Sequence, residues 1–195
     1  ADMIRAIEVR YIEDFDPANR RVQDQDYADA MGELAKKYPD DLDLATLHGD
    51  ALFLLEERRG YRSLENPNVV RIHNIFLSVL EKDIRHPGAC HLLVHATEST
   101  PTPEIAAPCA RYLGDTIPGA SHINHMPSHT WNEMGLWHEA VRANTIAWHS
   151  DQKAAIGKGF AIYPTHNLTM LYYAASMGGE SAVAIQAAKD LAKLN

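Results

Sequence analysis

WNEMGLWHEAVRANTIAWHSDQ, residues 131–152, holds the unit from which the fold is read. A helical pattern runs into Gly135 and a second one starts directly behind it. Glycine takes the left-handed conformation that closes a helix and turns the chain back. In the second segment Ala140 and Ala147 stand seven residues apart and so share one helix face. Small residues at that spacing let a neighbouring helix approach closely. A large aromatic residue, Trp131, precedes the turn, with the small Ser128 before it. The stretch reads as helix, glycine turn, helix.

The same pattern recurs outward from there. MGGESAVAIQAAKDLA (177–192) gives a second glycine turn followed by an alanine-rich face, and YADAMGELAKKYPDD (27–41) closes an earlier unit. Runs of alternating β-branched residues are nearly absent. Pro and Gly punctuate the chain at YPDD (38), HPGA (86), IPGA (117) and YPTH (163). Pro87 and Pro118 are 31 residues apart, close to one helix-turn-helix repeat. Pro39 and Pro87 are 48 apart, and ERRGYRSLENPNV accounts for the excess as an insertion. The expectation is an all-α chain of four to five helix pairs, a single domain over 1–195.

Composition narrows the partners. The 195 residues are 46% hydrophobic and 23% charged, with a formal net charge of −8 and no long Lys/Arg run. That balance argues against nucleic acid. No apolar stretch approaches the roughly 20 residues that span a bilayer. The start, ADMIRAIEVRYIEDF, is charged and helical rather than a secretory signal, and it opens in mid-helix, as an excised or processed segment would. Compartment and oligomeric state are not readable. Two cysteines do not make a disulfide framework, and Cys90, beside His91, reads as a small buried residue with a soft metal ligand as the alternative.

The 131–152 unit resembles the tetratricopeptide repeat (TPR), with Pro127 in place of the consensus leucine and Gln152 in place of the closing proline. HPGACHLLVHATESTPTPE, PGASHINHMPSHTWNEMGLWHEAVRAN and YPTHNLTMLYYAASMGG sharpen the resemblance. They look like a family of uncharacterised bacterial and fungal TPR proteins that carry H-x3-H-A-x-E, H-x2-H-M-P-x-H and a later His-Asn pair. The likeness reaches back through YADAMGELAKKYPDDLDLATLHGDALFLL, and family members are generally longer on the N-terminal side. It implies a TPR-like helical-hairpin array, an α-α superhelix, and no particular activity.

The histidines fall on faces. A helix advances about 100° per residue, which puts His122, His125 and His129 on one side, and His91, His95 and Glu98 likewise. Counting from the repeat marks, equivalent positions are Asp43, His91, His122 and His166, and seven residues later Asp50, Glu98, His129 and Tyr173. In TPR arrays the first helix of each unit lines the concave groove. The resemblance therefore implies a groove lined by imidazole and carboxylate.

Converging imidazoles with a carboxylate suit a divalent transition metal, namely zinc, copper or iron. The ligand candidates are His91 and His122 first, then His129 and His95, then His125 and His166. Glu98 is a ligand or the general base of a metal-bound water, and Tyr173 and Asn167 are placed to bind substrate at the rim. Asp50, with Asp43, extends an acidic wall. The competing interpretation is a hydrogen-bonded imidazole network without metal, and His166-Asn167 is equally readable as a helix cap. Pro127 either bends a helix through the site or opens one.

His48 reads as a core histidine. His73 and His86 are placed near helix ends, where the C-terminal dipole favours an imidazolium, and His138 and His149 face the outside or the next repeat. GKGF at 157 is too short to cradle a phosphate. Two functions remain for a groove expected to hold a small molecule or peptide: a metal-binding TPR-like protein, hydrolytic or oxidative if it is an enzyme, or a non-catalytic scaffold that grips a peptide or partner protein there.

Overall fold

A computed structural model describes residues 1–57, 60–157 and 161–194. Among them no β-strand is formed, and the chain makes two compact units, Ala1–Pro101 and Thr102–Asn195.

The first unit holds α1 (Asp2–Glu8), α2 (Arg20–Lys37), α3 (Leu42–Phe53), α4 (Pro67–Lys82) and α5 (Pro87–Thr97). Each packs on the next in chain order. Side-chain caps start the helices: Asp41 accepts from the Leu44 amide, and Asn66 accepts from the Asn68 amide. Proline occupies the first turn of both α4 and α5. The core is Met31, Leu52, Val69, Ile72, Phe76 and Val79. Gly49 lets α3 seat on α4, because a Cβ there would meet the Phe76 ring at 2.5 Å.

The insertion expected before α4 lies between α3 and α4, with its Arg58 and Arg59 outside the described residues. Buried Arg62 pins it. The Arg62 amide donates to Ser99 O at 2.7 Å, its guanidinium reaches His95 O and Glu57 O, and it stacks 4.7 Å from the Phe53 ring centroid.

The second unit holds α6 (Ala107–Thr116), α7 (Ser121–His125), α8 (Pro127–Glu133), α9 (Trp137–Ala155), α10 (Pro164–Met177) and α11 (Ser181–Leu194). Helix α9 packs on α7, α8 and α10, and α11 packs on α10. Both glycine turns read from the sequence close their helices in the same way. Gly135 (φ +70°) lets the Leu136 amide reach back to Trp131 O, and Gly179 (φ +75°) lets the Glu180 amide reach Ala175 O, each at 2.8 Å. Ala140 and Ala147 are fully buried, and Trp131 packs with Ala140, Leu168, Leu171 and Ala174 in one core.

Pro127 satisfies both readings of it in part. It stands in the first turn of α8, yet Met126 keeps helical dihedrals, so α7 runs straight into α8 with the ladder interrupted at the proline. Pro108 sits in the first turn of α6. Cys90 is buried as expected, and Cys109 is buried too; neither is a free thiol, which removes Cys90 from the candidate ligands.

Candidate functional site

Helices α7, α8 and α10 bring three imidazoles together. The His125 ring centroid is 4.6 Å from that of His129 and 4.6 Å from that of His166, and the latter two are 5.7 Å apart. One nitrogen from each ring falls within 4.8 Å of the other two. The three form a gradient of access: His125 is fully buried, His129 half-buried and His166 exposed.

His125 is held by the interior. Its Nδ1 lies 2.7 Å from Asn144 Oδ1, and Ser128 Oγ approaches the same pair at 3.3 Å. Its Nε2 lies 2.8 Å from His129 Nε2. Burial drives the affinity of His125 for a proton well below the ordinary imidazole value, and the neighbouring His129, His166 and His122 push the same way against the Asn144 hydrogen bond.

His122 is half-buried on the same short helix, 6.0 Å from the His125 ring and 5.9 Å from the Tyr163 ring. Convergence within this unit therefore joins His125, His129 and His166, whereas the repeat count had ranked His122 above all three. In the first unit His91 and His95 are half-buried neighbours with ring centroids 5.1 Å apart, and His95 Nδ1 donates to Glu98 Oε1 at 3.0 Å.

The remaining expected site residues scatter. Tyr173 is 45% exposed on α10, edge-on to Trp137. Asp50 is half-buried on α3, where burial pushes its carboxyl up against the opposing pull of Arg10. Asp43 pairs with His86 at 3.2 Å.

Asn167 is a correction. It was placed at a substrate-binding rim, but it is fully buried and gives its amide hydrogen to Asp151 Oδ2 at 2.8 Å. It sits one step round α10 from His166 and so faces α9. No side chain caps α10, so the His-Asn pair has no capping role either. The placement of His73 near a helix end, and of His86 near a C-terminal one, is also corrected. His73 lies inside α4 and donates Nε2–H to Ala96 O at 3.0 Å, while His86 caps the N-terminus of α5 by accepting from the Ala89 amide. His48 is a core histidine as read, with Arg71 at 3.3 Å, and His138 and His149 are exposed. Of GKGF, Lys158, Gly159 and Phe160 lie outside the described residues.

Asn144 is the residue the sequence reading passed over. The signal was present: it lies between Ala140 and Ala147 on the same packed face of α9, where an amide is out of place unless it has a buried partner.

No protein-family model matches the chain, and no curated protein matches it. Solved structures do. MamA from Desulfovibrio magneticus RS-1 superposes with a TM-score of 0.66 at 13% identity, over 90% of this chain and 87% of that one. MamA MSR-1 superposes with 0.66 at 12% identity, over 99% and 94%. A MamA mutant gives 0.63 at 12% identity over the whole of both chains. At such identities the likeness speaks for the fold: a TPR-like array of helical hairpins.

Proposed function

We propose that this chain is a TPR-like binding scaffold that holds a segment of a partner protein along α10. The observation that carries this reading is a stripe on that helix. His166, Met170, Tyr173 and Met177 follow one another at spacings of three and four residues, which is one helix face, and Tyr163 stands at the N-cap ahead of them. Tyr163, Tyr173 and Met177 are each about half exposed, at 55%, 45% and 53%. An exposed row of tyrosine and methionine is a surface that grips apolar side chains of a polypeptide and adapts to them. The repeat fold supports the reading, since stacked hairpins build extended binding faces.

A metalloenzyme asks for a substrate-sized cavity at the imidazoles. A cavity of about 240 Å3 lies beside α6, α8 and α9, lined by Arg111, Trp131, Glu139 and Arg142 among others. Cavities of about 290 to 460 Å3 open around α1 to α4. The clustered imidazoles line none of these five cavities. No helix among the described residues is long and apolar enough to cross a membrane, so the exposed stripe is not read as a lipid-facing span.

The test is selection of peptides from a displayed library on the wild-type protein, followed by affinity measurement on a Tyr173→Asp, Met177→Asp double variant. The reading expects selected peptides to lose at least about tenfold in affinity, the loss of a central interface anchor. Equal binding to both proteins, or no selected peptide at all, would sink it.

A further inference from the structure

The orientation of one buried amide fixes the lone pair that His125 turns toward the other imidazoles of the cluster. Asn144 is fully buried, and its Nδ2 donates to Ala140 O at 2.9 Å. A carbonyl only accepts, so this bond fixes the amide with Oδ1 turned toward His125. That oxygen also only accepts, and at 2.7 Å it takes the hydrogen of His125 Nδ1. The neutral His125 ring therefore carries its proton on Nδ1 and presents a bare lone pair at Nε2. That lone pair points at His129 Nε2, 2.8 Å away, with a nitrogen of His166 inside the same 4.8 Å group.

Each part of this arrangement has a reason in metal chemistry. An imidazole ligand whose other nitrogen donates to a fixed acceptor is the usual way a protein sets tautomer and ring direction at a metal. His125 and His129 stand at i and i+4, the spacing at which two histidines on one helix chelate an ion. Pro127 lies between them and removes one hydrogen bond from the ladder. An ion with nitrogens at about 2.0–2.1 Å in tetrahedral geometry sets neighbouring nitrogens roughly 3.3 Å apart. The 2.8 Å pair needs to open by only a fraction of an ångström, a movement its half-buried member, His129, can make while buried His125 stays fixed. The set is all imidazole, which suits zinc or copper and is a poor match to calcium or magnesium.

We infer that His125, His129 and His166 bind one zinc or copper ion, with Asn144 as the positioning residue that holds His125 in the ligating tautomer. Three protein ligands leave a fourth position for water or another donor. The inference does not rest on the peptide-binding reading, and either can fail without the other.

The experiment uses the full chain purified without a polyhistidine tag, stripped with chelator and reloaded with Zn2+ or Cu2+. Metal content is measured by elemental mass spectrometry and affinity by calorimetry, with circular dichroism confirming that each variant is folded. One equivalent is expected. His166→Gln, at an exposed position, and His129→Gln should each weaken binding by at least about 100-fold. Asn144→Leu should weaken it about 10–100-fold, the usual cost of losing a histidine's orienting partner. Asn144→Asp should restore it to within about tenfold, because a carboxylate accepts the same Nδ1 hydrogen. A merely structural Asn144 would not show that rescue of affinity. Failure of the wild type to take up either ion, or uptake unchanged in the folded His166→Gln and His129→Gln proteins, would overturn the assignment.

Discussion

The two units bury histidine in different ways. In the first, His48 and His73 each sit alone with one partner: Arg71 for His48, and the Ala96 carbonyl for His73. In the second, His125 is buried more completely and turns its unprotonated nitrogen toward another imidazole, with a third ring in contact. Burial pushes proton affinity down in all three. Burial and a lowered proton affinity therefore do not mark a site by themselves. The distinguishing feature is convergence of donor atoms with the hydrogen bond behind them fixed, which only the second unit's trio shows among these.

The largest difference should appear in metal affinity. Replacing His166 by Gln should weaken Zn2+ binding by at least about 100-fold, whereas His48→Gln and His73→Gln should leave it within about threefold, as calorimetry would read. Comparable losses in both groups would erase the contrast.

Next in size are packing effects, which should follow the helix contacts and ignore metal. Gly49→Ala drives a Cβ into the Phe76 ring and should cost about 1–3 kcal/mol in urea unfolding. Gly178→Ala meets the Trp137 Cβ at 2.9 Å and should cost a similar amount, with metal affinity unchanged in both folded variants. A stability loss below about 0.5 kcal/mol in either would show that the helices can part more easily than their contact implies.

The smallest effect is on pH dependence. For His48 the lowered proton affinity comes from burial first and then from Arg71 and Lys36, and for His73 from burial against the Ala96 hydrogen bond. The unfolded chain takes up these protons near pH 6.5 while the folded rings resist them. Stability is therefore full above about 6.5 and falls as pH drops below it toward the folded values. Thermal melts of metal-free protein at pH 7.5 and 5.5 should show a Tm lower by a few degrees at 5.5. His73→Gln should flatten that slope, and an unchanged slope would contradict the assignment.

Much of the fold was legible because hairpins announce themselves locally. Gly135 and Gly179 take the positive φ that closes a helix, and the seven-residue spacing of Ala140 and Ala147 marks the buried face. Helical periodicity also put His122, His125 and His129 on one side. Periodicity names a face, however, and not what meets it. Asn144 reaches His125 from α9, a contact 19 residues away in sequence that no periodicity shows. Asn167 turned inward for a related reason: one residue past an outward histidine lies about 100° further round, against α9 and its Asp151. The break at Pro127 was visible as a proline and ambiguous as a bend, since the same residue opens α8 and ends the ladder of α7.

X-ray absorption at the edge of the bound metal, on wild-type protein and on His166→Gln, tests the central claim most directly. The account predicts three imidazole nitrogens at about 2.0 Å in the wild type and two in the variant. A wild-type ion without imidazole scattering, or an imidazole count unchanged in the variant, would contradict it.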